Sequence, residues 1–182
     1  MKILPLEPSS GYCLARDFML KTKVGYSENA NAFAAGEETA KTSNFADAKA
    51  GLLFTSVVMD QAEIVKGIKS VGAGHIIGCT SSAAICTQDG YLNAETGYAG
   101  MMTFGGDVEV GVAGSEKTEG ETPREIGRRI ATEALRQLST NKPEYFFMTA
   151  NPGQEEEYMK GIQDVVGNIP VFGGSAADNT VE

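Results

Sequence analysis

Two stretches of the chain share letters at one fixed spacing, and this bounds the fold more tightly than any other feature. Thr55, Glu63, Lys66, Gly67 and Ile68 recur, without a gap, as Thr149, Glu157, Lys160, Gly161 and Ile162, each 94 positions on. Upstream, AGEETA at Ala35 to Ala40 lines up with IGRRIA at Ile126 to Ala131, and VGYSE at Val24 to Glu28 with VAGSE at Val112 to Glu116. Downstream, GCTSSA at Gly78 to Ala83 lines up with GGSAAD at Gly173 to Asp178, now 95 positions apart. Convergent amphipathic patterning explains some shared letters; we read the match as a duplicated β-α-β-α-β unit, about 24–83 and 112–178, with a strand-rich insert at 84–111. Repeats this long imply two pseudo-symmetric halves sharing one core, not an array of stacked units. The strand pattern that follows the first copy, Ala83 to Ala113, has no counterpart before Glu182, so a C-terminal portion of the pattern is expected to be missing from this sequence.

Periodicity within the copies supplies the elements. Helices are expected at about Asn31 to Lys49, from Asp60 with Ile64, Val65, Ile68 and Val71 on one stripe, from Thr122 to Leu138, and from Gln154 to Val166. The third has the strongest start signal: Thr122 as N-cap, Pro123 at the first helical position and Glu125 three residues after the cap. Strands are expected at Thr22 to Tyr26, Leu52 to Val58, His75 to Cys79, Ala83 to Thr87, Tyr98 to Phe104, Val108 to Ala113, Tyr145 to Thr149 and Pro170 to Phe172, with Gly105-Gly106-Asp107 as a hairpin turn. Helices and strands alternate, which defines an α/β fold with mixed sheets and flanking helices, built as a single domain over 1–182.

Composition removes several classes of function. With 42% hydrophobic and 21% charged residues among 182, the chain has the composition of a folded domain. The most apolar run, Leu52 to Val58, is far shorter than the ~20 residues of a membrane-spanning helix, so no membrane partner is expected. The N-terminus, with Pro5 and Glu7, lacks the apolar core of a signal peptide. A net charge of −9 repels polyanions and argues against nucleic acid. Three cysteines, Cys13, Cys79 and Cys86, with no CxxC, point to a reducing, cytoplasmic setting and away from a zinc cluster. One histidine, His75, rules out a site with two histidine ligands from one chain. Neither GxGxxG nor GxxxxGK[ST] occurs, so no nucleotide cofactor is expected, and no metal.

The densest polar cluster is Gly78-Cys79-Thr80-Ser81-Ser82, after the apolar Ile76-Ile77. It reads either as a ligand loop at a strand end, with small residues that admit a ligand to the backbone, or as a tight turn with Cys79 a small buried hydrophobe. Gly173-Gly174-Ser175, with Asp178 beyond, has the same logic, and the duplication suggests that both line one cleft. Ser27, Asn29 or Asn31 would cap the first helix, whose N–H groups also suit a carboxylate or phosphate. A Cys79 nucleophile with His75 as base is conceivable, but positions four apart on a strand lie about 13 Å apart, so catalysis is the weaker reading and a non-enzymatic protein is expected.

The blocks KVGYSENANAFAAGEETA, LLFTSVVMDQAEIVKGIKSV, HIIGCTSSAAICTQDGY and IPVFGGSAADN resemble, in order, those of the FIST N-terminal domain, an intracellular sensory module of signal-transduction proteins usually followed by a FIST C-terminal domain. The resemblance runs from about Lys21 to Asn179. The family loop often reads GCT, Ser or Thr, then Gly-Glu-Ile; this chain has Ser82-Ala83-Ala84-Ile85 there and lacks the acidic side chain. The resemblance implies binding of a small polar ligand, with an amino acid as the class. Partners expected beside it are a FIST C-terminal domain or signalling partner, and a second copy of the chain through an exposed sheet edge.

Overall fold

The computed structural model describes residues 19–114 and 119–177. In the first half, β1 (Leu20–Ser27), α1 (Ala32–Thr42), β2 (Ala50–Ser56), α2 (Gln61–Lys69) and β3 (His75–Ser81) follow one another. A small hairpin, β4 (Ile85–Thr87) and β5 (Gly90–Leu92), leads to β6 (Ala99–Gly106), and α3 (Pro123–Leu135), β7 (Phe146–Ala150), α4 (Glu155–Val166) and β8 (Val171–Ser175) complete the order. β6 inserts between β1 and β2, antiparallel to both, and β3 runs parallel to β2, giving the order β1-β6-β2-β3. β7 and β8 form a separate parallel pair. The fold is thus α/β with mixed sheets, as the alternation predicts.

Three of the four described α-helices begin where the sequence supplies a side-chain cap, and α4, which follows Gln154, has none. Asn31 accepts the Ala34 N–H, Asp60 accepts the Glu63 N–H, and Thr122 with Glu125 closes a full capping box. α1 ends at Thr42, seven residues short of the expected Lys49, because Asn44 adopts the left-handed conformation and a 3-10 turn, Phe45–Asp47, follows. That turn buries Phe45 completely beside Leu53, Ile64, Ile68 and Met101 in the larger core; Ala131, Met148 and Ile162 form the smaller one under β7.

Both helix pairs pack backbone to backbone at glycine. A Cβ on Gly36 would sit 2.1 Å from the Ile64 carbonyl oxygen and one on Gly67 at 2.1 Å from that of Phe33; Gly127 and Gly161 stand in the same relation to Tyr158 and Arg124, at 2.3 and 2.1 Å. The strands repeat the relation: Leu53 pairs with Gly78 and Met148 with Gly173, and each glycine lies flat over its partner's carbonyl.

That pairing corrects two expectations. Leu53 and Met148 are 95 positions apart, so the strand register differs by one from the 94-residue match: two residues after the one paired to glycine stand Thr55 in β2 and Ala150, not Thr149, in β7. A one-residue slip reverses the face. Thr55 accordingly turns to Gln61 at the start of α2, whereas Thr149 turns to β3. Second, Val108 to Ala113 is not a strand and Gly105 to Asp107 not a hairpin: Gln137 brackets Val112, accepting its N–H at 3.1 Å and donating to its carbonyl at 2.7 Å, and so occupies the groups a ladder would use.

Candidate functional site

The two sheets meet where the C-terminal ends of β3, β7 and β8 converge. The Thr149 hydroxyl donates to the Gly78 carbonyl at 3.3 Å, and the Ala177 N–H to the Thr80 carbonyl at 3.1 Å. Beside this junction lies a cleft of about 510 Å3. Its floor is apolar, with Ile126 and Ile130 from α3, Met148 from β7 and the ring of Tyr158 from α4. Its rim carries Cys79, Thr149 and Asn151, with Gly78, Ala113, Gly114 and Ala176 letting backbone approach; among the described residues none of its lining is charged. Clefts outside the carboxyl ends of parallel strands are where α/β folds commonly hold ligands.

Of the residues proposed from sequence, Gly78 and Cys79 line this cleft. The run GCTS is not a loop but the end of β3, since the parallel ladder to β2 continues through Ser81. The turn is confined to Ser82 to Ala84: the Ser81 hydroxyl donates to the Ala84 carbonyl at 3.0 Å, and the Ala84 N–H to the Ser82 carbonyl at 2.6 Å. The Ser81 carbonyl accepts the Tyr98 hydroxyl at 3.1 Å. Thr80 serves the junction through its carbonyl. Gly173, Gly174 and Ser175 likewise belong to a strand, β8, outside the cleft lining; the Ser175 hydroxyl donates to Glu155, which holds that carboxyl below its usual range. Asp178 lies outside the described residues.

Ser27 is elsewhere. It shares a row across the sheet with Ala99, Thr55 and Thr80, three strand spacings or ~14 Å from β3. Its hydroxyl donates to Glu38 at 2.6 Å, and with the Asn29 amide at 2.9 Å it pulls the Glu38 carboxyl below its ordinary range. Asn31, not Ser27, caps α1.

His75 opens β3 and Cys79 lies four residues along it, and burial pushes the Cys79 thiol up, which disfavours the thiolate a nucleophile requires. The sequence reading passed over Thr149, Asn151 and Tyr158. Their signal was position: Thr149-Ala150-Asn151-Pro152-Gly153 leaves the end of a strand just before a helix. The arginines of α3 form no second site, because Arg124 and Arg128 are paired to Asp164 at 2.8 and 2.7 Å, and Arg129 to Glu121 at 2.7 Å.

The mixed sheets, their helix layers and a cleft at the strand ends define an α/β domain. The family model of the FIST N domain matches residues 49–182, so the chain belongs to the FIST N family, a sensory domain of signal-transduction proteins, typically non-catalytic. The KVGYSENANAFAAGEETA block lies before the matched span. A comparison with curated proteins gives no match. Among the described residues, no helix is long and apolar enough to cross a membrane.

Proposed function

We propose that the chain senses a small, zwitterionic polar molecule, an amino acid as the class, in the cleft between β3, β7 and α3. The carrying observation is the lining: an apolar floor of Ile126, Ile130, Met148 and Tyr158 under a rim of neutral hydrogen-bonding groups. A ligand of zero net charge needs no buried counter-ion, and a side-chain amide such as that of Asn151 offers both a donor for a carboxylate and an acceptor for an ammonium. The cleft volume falls within the usual small-ligand range. Helix N-termini play no part in this reading, since Asn31, Asp60 and Thr122 occupy three of them and Glu155 takes the Gly153 N–H before the fourth.

The reading includes a cytoplasmic setting, a FIST C-terminal domain or signalling partner as receiver, and descent of the two halves from one β-α-β-α-β unit. The paired glycine crossings support that descent: Gly36 and Gly127, and Gly67 and Gly161, are aligned pairs in the sequence match and take the same role in each helix pair. The test is a panel of L-amino acids at millimolar concentration against the full chain, read by melting temperature and by amide shifts at Cys79, Thr149 and Asn151. A ligand at a hundredfold excess over its Kd adds about 2.7 kcal/mol, and Asn151→Ala should abolish the gain. No stabilisation by any member of the panel refutes the reading.

A further inference from the structure

In the first half of the chain, β6 is seated between β1 and β2. Met101 lies opposite Gly25 on one side and Leu53 on the other, Gly100 opposite Tyr26 and Phe54, and Ala99 opposite Ser27 and Thr55. Under this row Ala35 and Thr39 of α1 are fully buried, and the Thr39 hydroxyl donates to the Ala99 carbonyl at 3.2 Å. In the second half, Ala113 and Gly114 align with Gly25 and Tyr26, and Ile126 and Ile130 with Ala35 and Thr39. By strand register, Met148, Thr149 and Ala150 stand where Leu53, Phe54 and Thr55 do. All of these second-half residues line the one cleft. They are the residues that would surround a second β6.

The backbone of β7 agrees. The Phe146 N–H and the Ala150 carbonyl are bonded on the β8 side, so by the two-residue period the amides of Phe147 and Thr149 face the opposite edge. Among the described residues, that edge carries no paired strand.

We infer that this cleft is a strand-acceptor site: an extended polypeptide segment enters between Ala113–Gly114 and β7, antiparallel to β7, in the register that β6 holds against β2. The occupant is apolar opposite Met148, as Met101 is opposite Leu53, and small opposite Ala150, because isoleucines replace Ala35 and Thr39 beneath it. A polypeptide also suits the aromatic surface of the same strand pair, where Phe172 meets Tyr145 tilted and Phe147 edge-on at 5.4 and 5.6 Å and Tyr145 and Phe172 are about half exposed. The inference goes beyond the small-ligand reading and rests on the correspondence of the two halves; the segment covers Ile126, Ile130 and Met148, the floor that reading uses, so the two occupants exclude each other there.

The test joins a copy of residues 97–105 (GYAGMMTFG) to the C-terminus of the full chain through a flexible Gly/Ser linker, which sets an effective concentration on the order of millimolar. Hydrogen exchange is compared with the same tether carrying a scrambled order. The expected result is about tenfold or greater slowing at Phe147 and Thr149 with the β6 order only. Ile130→Glu should remove that slowing while exchange at Phe146, whose N–H is bonded to the Pro170 carbonyl, stays unchanged, which checks that the β7–β8 pair survives. No slowing, or equal slowing with the scrambled order, overturns the inference. Amino-acid binding without slowing refutes the strand site alone, and slowing without amino-acid binding refutes the small-ligand reading alone.

Discussion

At the scale of single residues, three side chains carry more than their neighbours. Ala83 turns the chain out of β3 with φ at 60°, a left-handed conformation that costs a residue with a Cβ roughly 1–2 kcal/mol. Ala83→Gly is therefore expected to raise stability by up to about 1 kcal/mol, since the added unfolded-state freedom of glycine offsets part of the relief, and chemical denaturation would measure it. Cys79, half-buried with its thiol pushed up, should label with iodoacetamide at neutral pH at least about tenfold more slowly than the exposed Cys86, with peptide mapping as the readout. Comparable rates would revive a reactive Cys79. Asp164, gripped by Arg124 and Arg128, is held well below the usual carboxylate range. A lowered folded-state value means that its stabilisation is fully present above the unfolded value of about 3.9 and is lost as pH falls below it. The melting temperature of Asp164→Asn should thus lie below that of the parent at pH 7, and the gap should close as the pH is lowered through about 4 to 2.

Among the elements, the helix pairs are the most constrained. Glycine inside a helix ordinarily costs about 1 kcal/mol relative to alanine, so Gly67→Ala on an isolated α2 would stabilise it. Here the new methyl would stand 2.1 Å from the Phe33 carbonyl oxygen and 2.9 Å from the Glu37 nitrogen, which forces α1 and α2 apart. The net expectation is a loss of about 1–3 kcal/mol in urea denaturation, against a change within about 0.5 kcal/mol for Gly174→Ala, whose Cβ meets nothing within 4 Å. Three helix starts were legible because their caps are local: Asp60, Thr122 and Asn31, the last among the candidates Ser27, Asn29 and Asn31, each accept an N–H three residues along. The strand near Val112 was misread for the complementary reason. Its apolar pattern suits a strand, but a strand needs a partner, and the Gln137 amide takes the place of one.

Across the whole molecule, the halves are unequally buttressed. β2 and β6 are each flanked by a strand on both sides, whereas β7 and β8 form a pair with one partner each. Two-stranded pairs are marginal without further support. Native-state hydrogen exchange should therefore show the β7–β8 amides opening at lower free energy than those of β2 and β6; equal protection would mean that the two sheets unfold as one unit. The candidate cleft sits on this weaker half, where binding has the most freedom to order the structure.

Residue spacing alone was enough to specify the α/β alternation, the capped helix starts and the resemblance to FIST N domains, because caps and periodicity act over a turn or two of chain. Spacing did not specify which residues meet. Ser27 lies ~14 Å from β3 across the sheet, Gly173 to Ser175 fall outside the cleft lining, and Thr149, Asn151 and Tyr158 enter it, all because of strand order. The insertion of β6 between β1 and β2, and the one-residue shift that turns Thr149 toward β3, are outcomes of long-range pairing. A ladder is chosen by which edges find a partner once the chain has collapsed, and that choice is made between segments tens of residues apart.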